Sequence, residues 1–273
     1  MFSFCEMFAK EFENRPKILG KYSCYDPGGW GRCVCPVFAT DGIETKGCGT
    51  GFFVRGIPFG ITAEHLLDIG SIEFPSISAD GERELDLSSL KYGLSTIIPS
   101  RSVIMGTVYI PKVYSQPVQQ FVFDVAVKDD PIAEMKGKMR VERLSDILLL
   151  KFQSDAPLPP ENWLPRVSIK SPEIGEWVCA VGFPDIKLIS ETNARGFMQN
   201  EGMALSFAQI TDIKLDGRGY YERSPIAFVE SDWPSGMSGG PVFNASGRIV
   251  GVVSRELSGN DNKPSCGSFR EPL

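Results

Sequence analysis

One serine stands among glycines in the stretch SGMSGGPVFN, which runs from Ser235 to Asn244. Ser238 is followed by two glycines, so side-chain bulk is missing where a chain would normally pack. A serine hydroxyl is a poor nucleophile until a base removes its proton and a further group orients that base. If Ser238 is a nucleophile, the chain has to supply both groups.

The chain contains one histidine, His65, within the stretch GITAEHLLD. The apolar residues before it predict a strand that ends here in a turn, from which a side chain can reach a cleft. An imidazole titrates close to neutrality, so it can accept a proton from a serine and return it to a leaving group. We predict that His65 is the general base for Ser238.

The third group should be a carboxylate that fixes the tautomer of the imidazole and stabilises the imidazolium. Asp146, in the stretch LSDILLLKF, heads an otherwise apolar strand, where an unpaired charge is costly. Asp124, in the stretch VFDVAV, is the competing candidate. We predict that Asp146 orients the imidazole.

The glycines around Ser238 allow the backbone to turn its N–H groups inward. Attack on a carbonyl creates an oxyanion, and losing one donor to it typically slows a reaction about a hundred- to thousand-fold. The amides of Gly236 and Ser238 are the candidate donors, with that of Met237 between them in the same turn. GMSGG also fits the G-x-S-x-G pattern of α/β hydrolases, but those enzymes need a histidine after the serine, and here none follows.

The segments that carry these residues are short and rich in β-forming residues. Runs such as TGFFVRG, SVIMGTVYI, QFVFDVAV, DILLLKF, WVCAVGF and RIVGVVS are separated by turn-forming residues, and the chain has 28 Gly and 20 Pro. Many short strands without intervening helices predict an all-β protein, a barrel or a sandwich. At the N-terminus, Phe4, Phe8 and Phe12 repeat at helical spacing and predict a short amphipathic helix that Pro16 ends.

The proline-rich stretch QSDAPLPPENWLPR separates two strand-rich halves and indicates an interdomain linker. The predicted organisation is an N-terminal extension with the helix, a first β-barrel, the linker, and a second β-barrel with the nucleophile. The boundaries are, in that order, 1–35, 36–152, 153–166 and 167–273.

The order His65, Asp146, Ser238 and the motifs GTGFF, TAEH, DILLLK and GMSGGPV resemble the trypsin-like (chymotrypsin-fold) serine peptidases. The stretch GEWVCAVGFP is similar to the segment that opens the second barrel in the HtrA/Deg-like, non-disulfide branch. The resemblance runs from about Gly49 to Ser254. It implies two antiparallel six-stranded Greek-key barrels with the active site in the cleft between them.

The same resemblance implies residues that bind substrate. GVVSRE looks like the strand that lines the specificity pocket, so Ser254 would hydrogen-bond the triad aspartate, while Arg255 and Glu256 would pair with substrate backbone. Asp232 lies six residues before Ser238, where relatives that prefer Arg or Lys place a carboxylate on the pocket floor. The alternative is that Asp232 is a solvated loop charge.

One departure from the family concerns activation. Met237 stands where secreted members place an aspartate that pairs with a new N-terminus after zymogen cleavage. We therefore expect either a constitutively formed site or one that an activating partner protein orders.

The net charge and the distribution of apolar residues limit the classes of binding partner that we expect. A formal charge of −6 and a pI near 5.1 argue against nucleic acid, and no apolar run reaches the roughly 18 residues of a membrane span. Glu6, Lys10 and Glu11 interrupt the stretch where a signal peptide would be apolar, which predicts a cytoplasmic protein.

Seven cysteines are an odd number and are scattered along the chain, so free thiols in a reducing compartment are expected. A zinc site on Cys24, Cys33, Cys35 and Cys48 is the alternative, although their spacing does not fit a zinc ribbon. No metal and no cofactor is predicted.

The sequence therefore predicts a serine endopeptidase that acts on protein or peptide substrates. The alternative function is a catalytically silent peptide-binding or scaffold protein of the same fold, which the loss of a triad member would favour.

Overall fold

The structure is a computed structural model. It describes residues 20–23, 30–40, 45–67, 82–85, 93–96, 108–111, 116–136, 139–153, 155–156, 158–184, 187–189, 197–200, 203–215, 224–231, 233–254 and 268–270. The predicted N-terminal helix lies outside these residues. An α-helix of five residues is described, the described residues Leu66 and Leu67 are also helical, and no described helix is long and apolar enough to cross a membrane.

Strands account for most of the described chain. They are β1 (Gly20–Ser23), β2 (Val34–Thr40), β3 (Thr45–Phe53), β4 (Gly60–Thr62), β5 (Glu82–Leu85), β6 (Gly93–Thr96), β7 (Val108–Pro111), β8 (Gln116–Pro117), β9 (Gln120–Lys128), β10 (Met139–Lys151), β11 (Trp177–Gly182), β12 (Lys187–Ile189), β13 (Phe197–Asn200), β14 (Ala204–Lys214), β15 (Ile226–Val229), β16 (Pro241–Asn244), β17 (Ile249–Val253) and β18 (Ser268–Arg270). The helix α1 spans Pro131–Met135, and short 3-10 turns lie at Trp30–Arg32 and Glu161–Trp163.

The first large sheet has the strand order β5-β10-β4-β3-β2-β6-β8, with β9 also paired to β10. Along β10 the side chains of Asp146, Leu148 and Leu150 are buried, while Ile147 and Leu149 between them are partly exposed. Ser145 is buried as well, and the pairing of β10 with β9 shifts register between Arg143 and Leu148, so the simple alternation of the strand is interrupted next to the carboxylate. The sheet nevertheless carries a buried acidic group at this irregularity.

The second large sheet has the order β1-β14-β11-β16-β17-β18-β15. Because β14 also pairs with β15, the pairings return to β14 and the sheet curls on itself. The loop with Ser238 lies between β15 and β16. A small third sheet joins the two halves of the sequence in the order β12-β13-β7.

Aromatic and aliphatic residues from both large sheets share one core. Phe38, Phe52 and Phe53 of the first sheet pack in the same buried cluster as Phe207 and Phe243 of the second. Burying one such side chain contributes roughly 1.5–3 kcal/mol. This shared core holds the two sheets against each other and fixes the residues at their junction.

The proline-rich segment between the halves packs on the first half of the chain. Leu164 is buried, and Arg55 donates its backbone N–H to the carbonyl of Pro165 at 2.9 Å. The guanidinium of Arg32 lies over the ring of Trp163, 5.2 Å from its centre. The predicted domain boundaries remain predictions.

The mostly β architecture predicted from the sequence is confirmed. The count of six strands in each barrel stays a prediction, as does the helix at the N-terminus. The short length of α1 agrees with the absence of helical periodicity after the first residues of the sequence.

Three of the cysteines that the structure describes, Cys33, Cys35 and Cys179, are buried free thiols. Burial raises the pKa of Cys35 to about 12, although hydrogen bonds with Thr96 and Gly51 oppose the rise. Among the described residues no group of three or more His, Cys, Asp or Glu side chains could hold a metal ion. Cys24 lies outside that part of the chain, and the side chain of Cys48 is not described.

Candidate active site

His65 and Asp146 meet inside the first sheet. His65 follows β4, and β4 pairs with β10 through Thr62 and Leu148, which brings the two residues to the same level of the sheet. The Nδ1 atom of His65 lies 3.1 Å from Oδ1 and 2.8 Å from Oδ2 of Asp146. The backbone N–H of His65 also donates to Oδ1 at 2.9 Å. The carboxylate therefore holds both the ring and the backbone of the histidine.

Ser254 adds a further contact to the carboxylate from the end of β17 in the second sheet. Its hydroxyl donates to Oδ2 of Asp146 at 2.5 Å. Burial by itself would raise the pKa of Asp146, but the attraction of the His65 ring and the hydrogen bonds from His65 and Ser254 outweigh it and lower the pKa. The carboxylate is thus kept ionised, although His65, Asp146 and Ser254 are all buried.

The loop that carries Ser238 turns sharply at two glycines. Gly236 has a φ of 93° and Gly239 a φ of 82°, values that residues with a side chain rarely adopt. Met237 donates its N–H to the carbonyl of Pro234 at 3.2 Å, and Gly239 donates to Val253 at 2.8 Å. Within the described part of the chain, the N–H groups of Gly236 and Ser238 donate to nothing.

Two of the three predicted oxyanion donors therefore have no partner among the residues that the structure describes. The third, the amide of Met237, is engaged inside the turn. The side chain of Met237 is fully buried in an apolar cluster with Trp233, Val253 and Phe269. The half-buried Ser238 directly follows Met237 in sequence, so the packing of the Met237 side chain anchors the loop next to the nucleophile.

The nucleophile loop rests on the strands that lead to His65. The carbonyl of Ser238 accepts the N–H of Thr50 at 2.8 Å. A methyl group on Gly239 would overlap the hydroxyl of Thr62 and the carbonyl of Thr50, and would lie 2.7 Å from the backbone nitrogen of Ala63. Ala63 precedes His65 by two residues, so the loop and the histidine are close neighbours.

No hydrogen bond joins the His65 ring to the hydroxyl of Ser238 among the described residues. Hydrogen bonds between catalytic groups are often long in the absence of substrate and tighten only in the complex. The geometry therefore shows an oriented imidazole next to the serine loop, with its Nδ1 side turned to the carboxylate.

The remaining predicted site residues fall outside what the structure describes. Asp232, Arg255 and Glu256 lie in undescribed segments, and the side chain of Asp124 on β9 is not described. The neighbours of Asp232 are described: Ser231 and Trp233 are both buried.

Two threonines at the site had no role in the sequence argument. Thr50 and Thr62 are fully buried at the junction of the two sheets, and both contact the loop of Ser238. A signal was present, since Thr50 stands between two glycines in GTGFF, one of the motifs that carry the resemblance. Threonine is common in strands, however, so its type alone does not single it out.

Comparison with known proteins gives a family match. The family model described as trypsin-like peptidase domain matches residues 49–252. The matched segment contains His65, Asp146 and Ser238, together with the strands that position them.

A curated relative matches a shorter stretch. A probable periplasmic serine endoprotease, DegP-like, of Pseudomonas fulva is 27% identical over 138 residues, which make up 48% of this chain and 24% of the relative. The chain therefore matches about a quarter of the length of that relative.

Two solved structures are similar at low identity. The inactive form of the Rv3671c protease of M. tuberculosis is 14% identical with a TM-score of 0.45, and the match covers 89% of this chain and 85% of that one. The serine endoprotease from Yersinia pestis is 14% identical with a TM-score of 0.46, with 88% and 59% covered.

Proposed function

Because the chain belongs to the trypsin-like peptidase domain family, we propose that it is a serine endopeptidase that cleaves protein or peptide chains through an acyl-enzyme on Ser238. The observation that carries the proposal is the buried pair of His65 and Asp146 beside a serine loop with two N–H groups that bond to nothing in the described part of the chain. The proposal includes two barrels with the site in the cleft between them.

Asp146 sets the tautomer and the orientation of His65, the general base. Both carboxylate oxygens lie near Nδ1 of His65. Nδ1 therefore carries the proton of the neutral ring and donates a hydrogen bond to the carboxylate. Nε2 is then the unprotonated nitrogen, which is the form that can accept a proton from Ser238. The carboxylate also stabilises the imidazolium once that proton has arrived.

In the acylation step, Oγ of Ser238 bonds to the carbonyl carbon of the substrate while its proton passes to Nε2 of His65. The negative charge moves to the carbonyl oxygen, where the N–H groups of Gly236 and Ser238 receive it. His65 then gives its proton to the amide nitrogen, the C–N bond breaks, and the amine leaves. The remaining acyl group is an ester of Ser238.

Water completes the reaction by the same route. It loses a proton to Nε2 of His65 as its oxygen bonds to the ester carbon. The bond between that carbon and Oγ of Ser238 then breaks, and His65 returns the proton to the serine. The products are a carboxylic acid and the original enzyme, so no cofactor is consumed.

We further propose that the serine loop is formed without zymogen cleavage. The burial of Met237 among Trp233, Val253 and Phe269 supports this, since apolar packing takes the place of an ion pair with a new N-terminus. A preference for Arg or Lys at the P1 position (the residue whose carbonyl is attacked) is the finer proposal for Asp232. An activating partner and a cytoplasmic location remain predictions.

Hydrolysis of fluorescein-labelled casein tests the proposal. We expect the wild-type chain to release fluorescence and Ser238→Ala to release none above background. Ser235→Ala is the matched control, since it removes an exposed hydroxyl from the same loop and should leave the rate unchanged. A folded wild-type chain that does not cleave casein or any peptide library would favour the scaffold function.

A further inference from the structure

Thr50 connects the first sheet to the serine loop through its N–H and its hydroxyl, and every polar atom it has is hydrogen-bonded. It is fully buried on β3, and its N–H donates to the carbonyl of Ser238 at 2.8 Å. Its hydroxyl donates to the carbonyl of Gly236 at 2.7 Å and accepts the N–H of Phe183 at 2.9 Å. Its own carbonyl accepts the hydroxyl of Thr62 at 2.6 Å.

The direction of the hydroxyl proton follows from these partners. A hydroxyl has one proton to donate, and backbone N–H groups can only donate. Because the N–H of Phe183 occupies a lone pair of the Thr50 oxygen, the proton of that hydroxyl is free to point to the carbonyl of Gly236. Phe183, which follows β11 of the second sheet, therefore orients the Thr50 hydroxyl of the first sheet. That hydroxyl in turn binds the serine loop at Gly236.

Gly236 needs such an external contact. Its φ of 93° is open to glycine, but glycine also populates many other conformations, so the residue itself does not specify this one. Fixing the carbonyl of Gly236 fixes the peptide plane that follows it, and the carbonyl of Ser238 is fixed by the same threonine. The N–H groups of Gly236 and Ser238 lie in the peptide planes before these residues, so Thr50 acts on them through the Cα atoms that each N–H shares with the held carbonyl.

We propose that Thr50 is a positioning residue for the oxyanion site: its hydroxyl and its N–H hold Gly236 and Ser238 so that their amides converge on one point. The inference rests on the proposed function, because it concerns the stabilisation of the oxyanion in that reaction. Displacing a reacting group by about 1 Å can cost about a hundredfold in rate, so the loss of one such contact is measurable.

The test is the rate at which a fluorophosphonate probe labels Ser238. The phosphonyl oxygen occupies the oxyanion position, so the maximal labelling rate reports on the two amides, and the probe concentration at half-maximal rate reports on binding. Thr50→Val keeps the branched shape but removes the hydroxyl, and Thr50→Ser keeps the hydroxyl. We expect Thr50→Val to lower the maximal rate about a hundredfold with little change in half-saturation, and Thr50→Ser to stay within about threefold of wild type.

A matched control is available at Thr96. It is fully buried in the same sheet, and its hydroxyl donates at 2.6 Å to the carbonyl of Pro36, the β2 residue that pairs with Thr50, so it lies on the next strand but one from Thr50 and bonds within the sheet. Thr96→Val therefore removes a comparable hydrogen bond and should label at the wild-type rate. Circular dichroism at the assay temperature shows that each variant is folded. If Thr50→Val is not folded, Thr50→Cys replaces it, with an expected loss of about tenfold because a thiol is a weak donor.

The outcomes separate this inference from the proposed function. Wild-type labelling together with an unchanged rate in a folded Thr50→Val, or in Thr50→Cys, overturns the role of Thr50 and leaves the peptidase intact. An equal loss in Thr50→Val and Thr96→Val also overturns it, since the effect would then be one of general stability. A wild-type chain that is not labelled at all contradicts the proposed function instead.

Discussion

The carboxylate of Asp146 faces the Nδ1 atom of His65 with both oxygens, at 3.1 and 2.8 Å, and accepts the backbone N–H of the same histidine at 2.9 Å. One acidic side chain therefore fixes the rotation of the ring and the position of the backbone that carries it. Both side chains are buried, so water competes little for these hydrogen bonds, and the contact organises the first sheet around the histidine.

Ser254 should assist this pair from the second sheet. We expect Ser254→Ala to lower kcat about tenfold with little change in KM, because a hydrogen bond to a charged group contributes roughly 1.5–3 kcal/mol. Steady-state hydrolysis of a peptide substrate measures both constants. Ser168→Ala removes an exposed hydroxyl bonded to the carbonyl of Lys170 and serves as the control. Wild-type kcat in Ser254→Ala would count against the role of this residue.

The stability of the protein should depend on pH through Asp146. Its pKa is lowered in the folded state, so the ionised form contributes stability that is present above the unfolded pKa, near 3.9, and is lost as the pH falls through the folded value. Denaturant unfolding of wild type and Asp146→Asn from pH 7 to pH 3 measures this contribution. The difference in unfolding free energy should be constant above about pH 5 and shrink below pH 4. A difference that does not change over this range contradicts the prediction.

Close packing at Gly239 should make this position intolerant of a side chain. We expect Gly239→Ala to lower the unfolding free energy by more than about 3 kcal/mol, because the methyl group overlaps Thr62 and Thr50 in addition to the strain of a positive φ. Gly56→Ala is the matched control: its φ is 84°, but a methyl group there meets nothing within 4 Å. It should cost only about 1 kcal/mol. Equal losses in the two variants would mean that the close approach of the loop to β3 and β4 is wrong.

Asp232 should set the P1 preference if it lies on the pocket floor. Peptides that differ only in Arg, Leu or Gln at P1 should then be cleaved fastest with Arg, because a buried carboxylate binds a guanidinium by charge-assisted hydrogen bonds. Asp232→Asn should abolish the preference, while Glu230→Gln, which changes an exposed charge two residues away, should keep it. Equal kcat/KM for the three peptides in the wild-type chain rules out the basic pocket.

The residues that define the chemistry could be predicted because their types are rare in this chain. One histidine, a serine among glycines and an acid at the head of an apolar strand allow few combinations, and their order excluded α/β hydrolases. The burial of Leu148 and Leu150, with Ile147 and Leu149 partly exposed, follows from the alternation of β10. These inferences needed only local patterns.

The contacts between the sheets could not be predicted in this way. The hydrogen bond from Thr50 to Gly236 joins residues 186 positions apart and depends on how the two sheets dock. The pairing of β1 with β14, and the extension of β10 back through a charged stretch to Met139, likewise follow from tertiary contacts. A threonine in a strand gives no local sign that its hydroxyl binds a loop of another sheet.

The central claim is that His65 activates Ser238 across the junction of the two sheets. Mass spectrometry of the intact chain after incubation with a fluorophosphonate, with fragment mapping of the adduct, tests it most directly. The account predicts one adduct per wild-type chain, located on Ser238, none in Ser238→Ala, and labelling at least about a thousandfold slower in folded His65→Ala. An adduct that persists in Ser238→Ala, or labelling at the wild-type rate in His65→Ala, would contradict it.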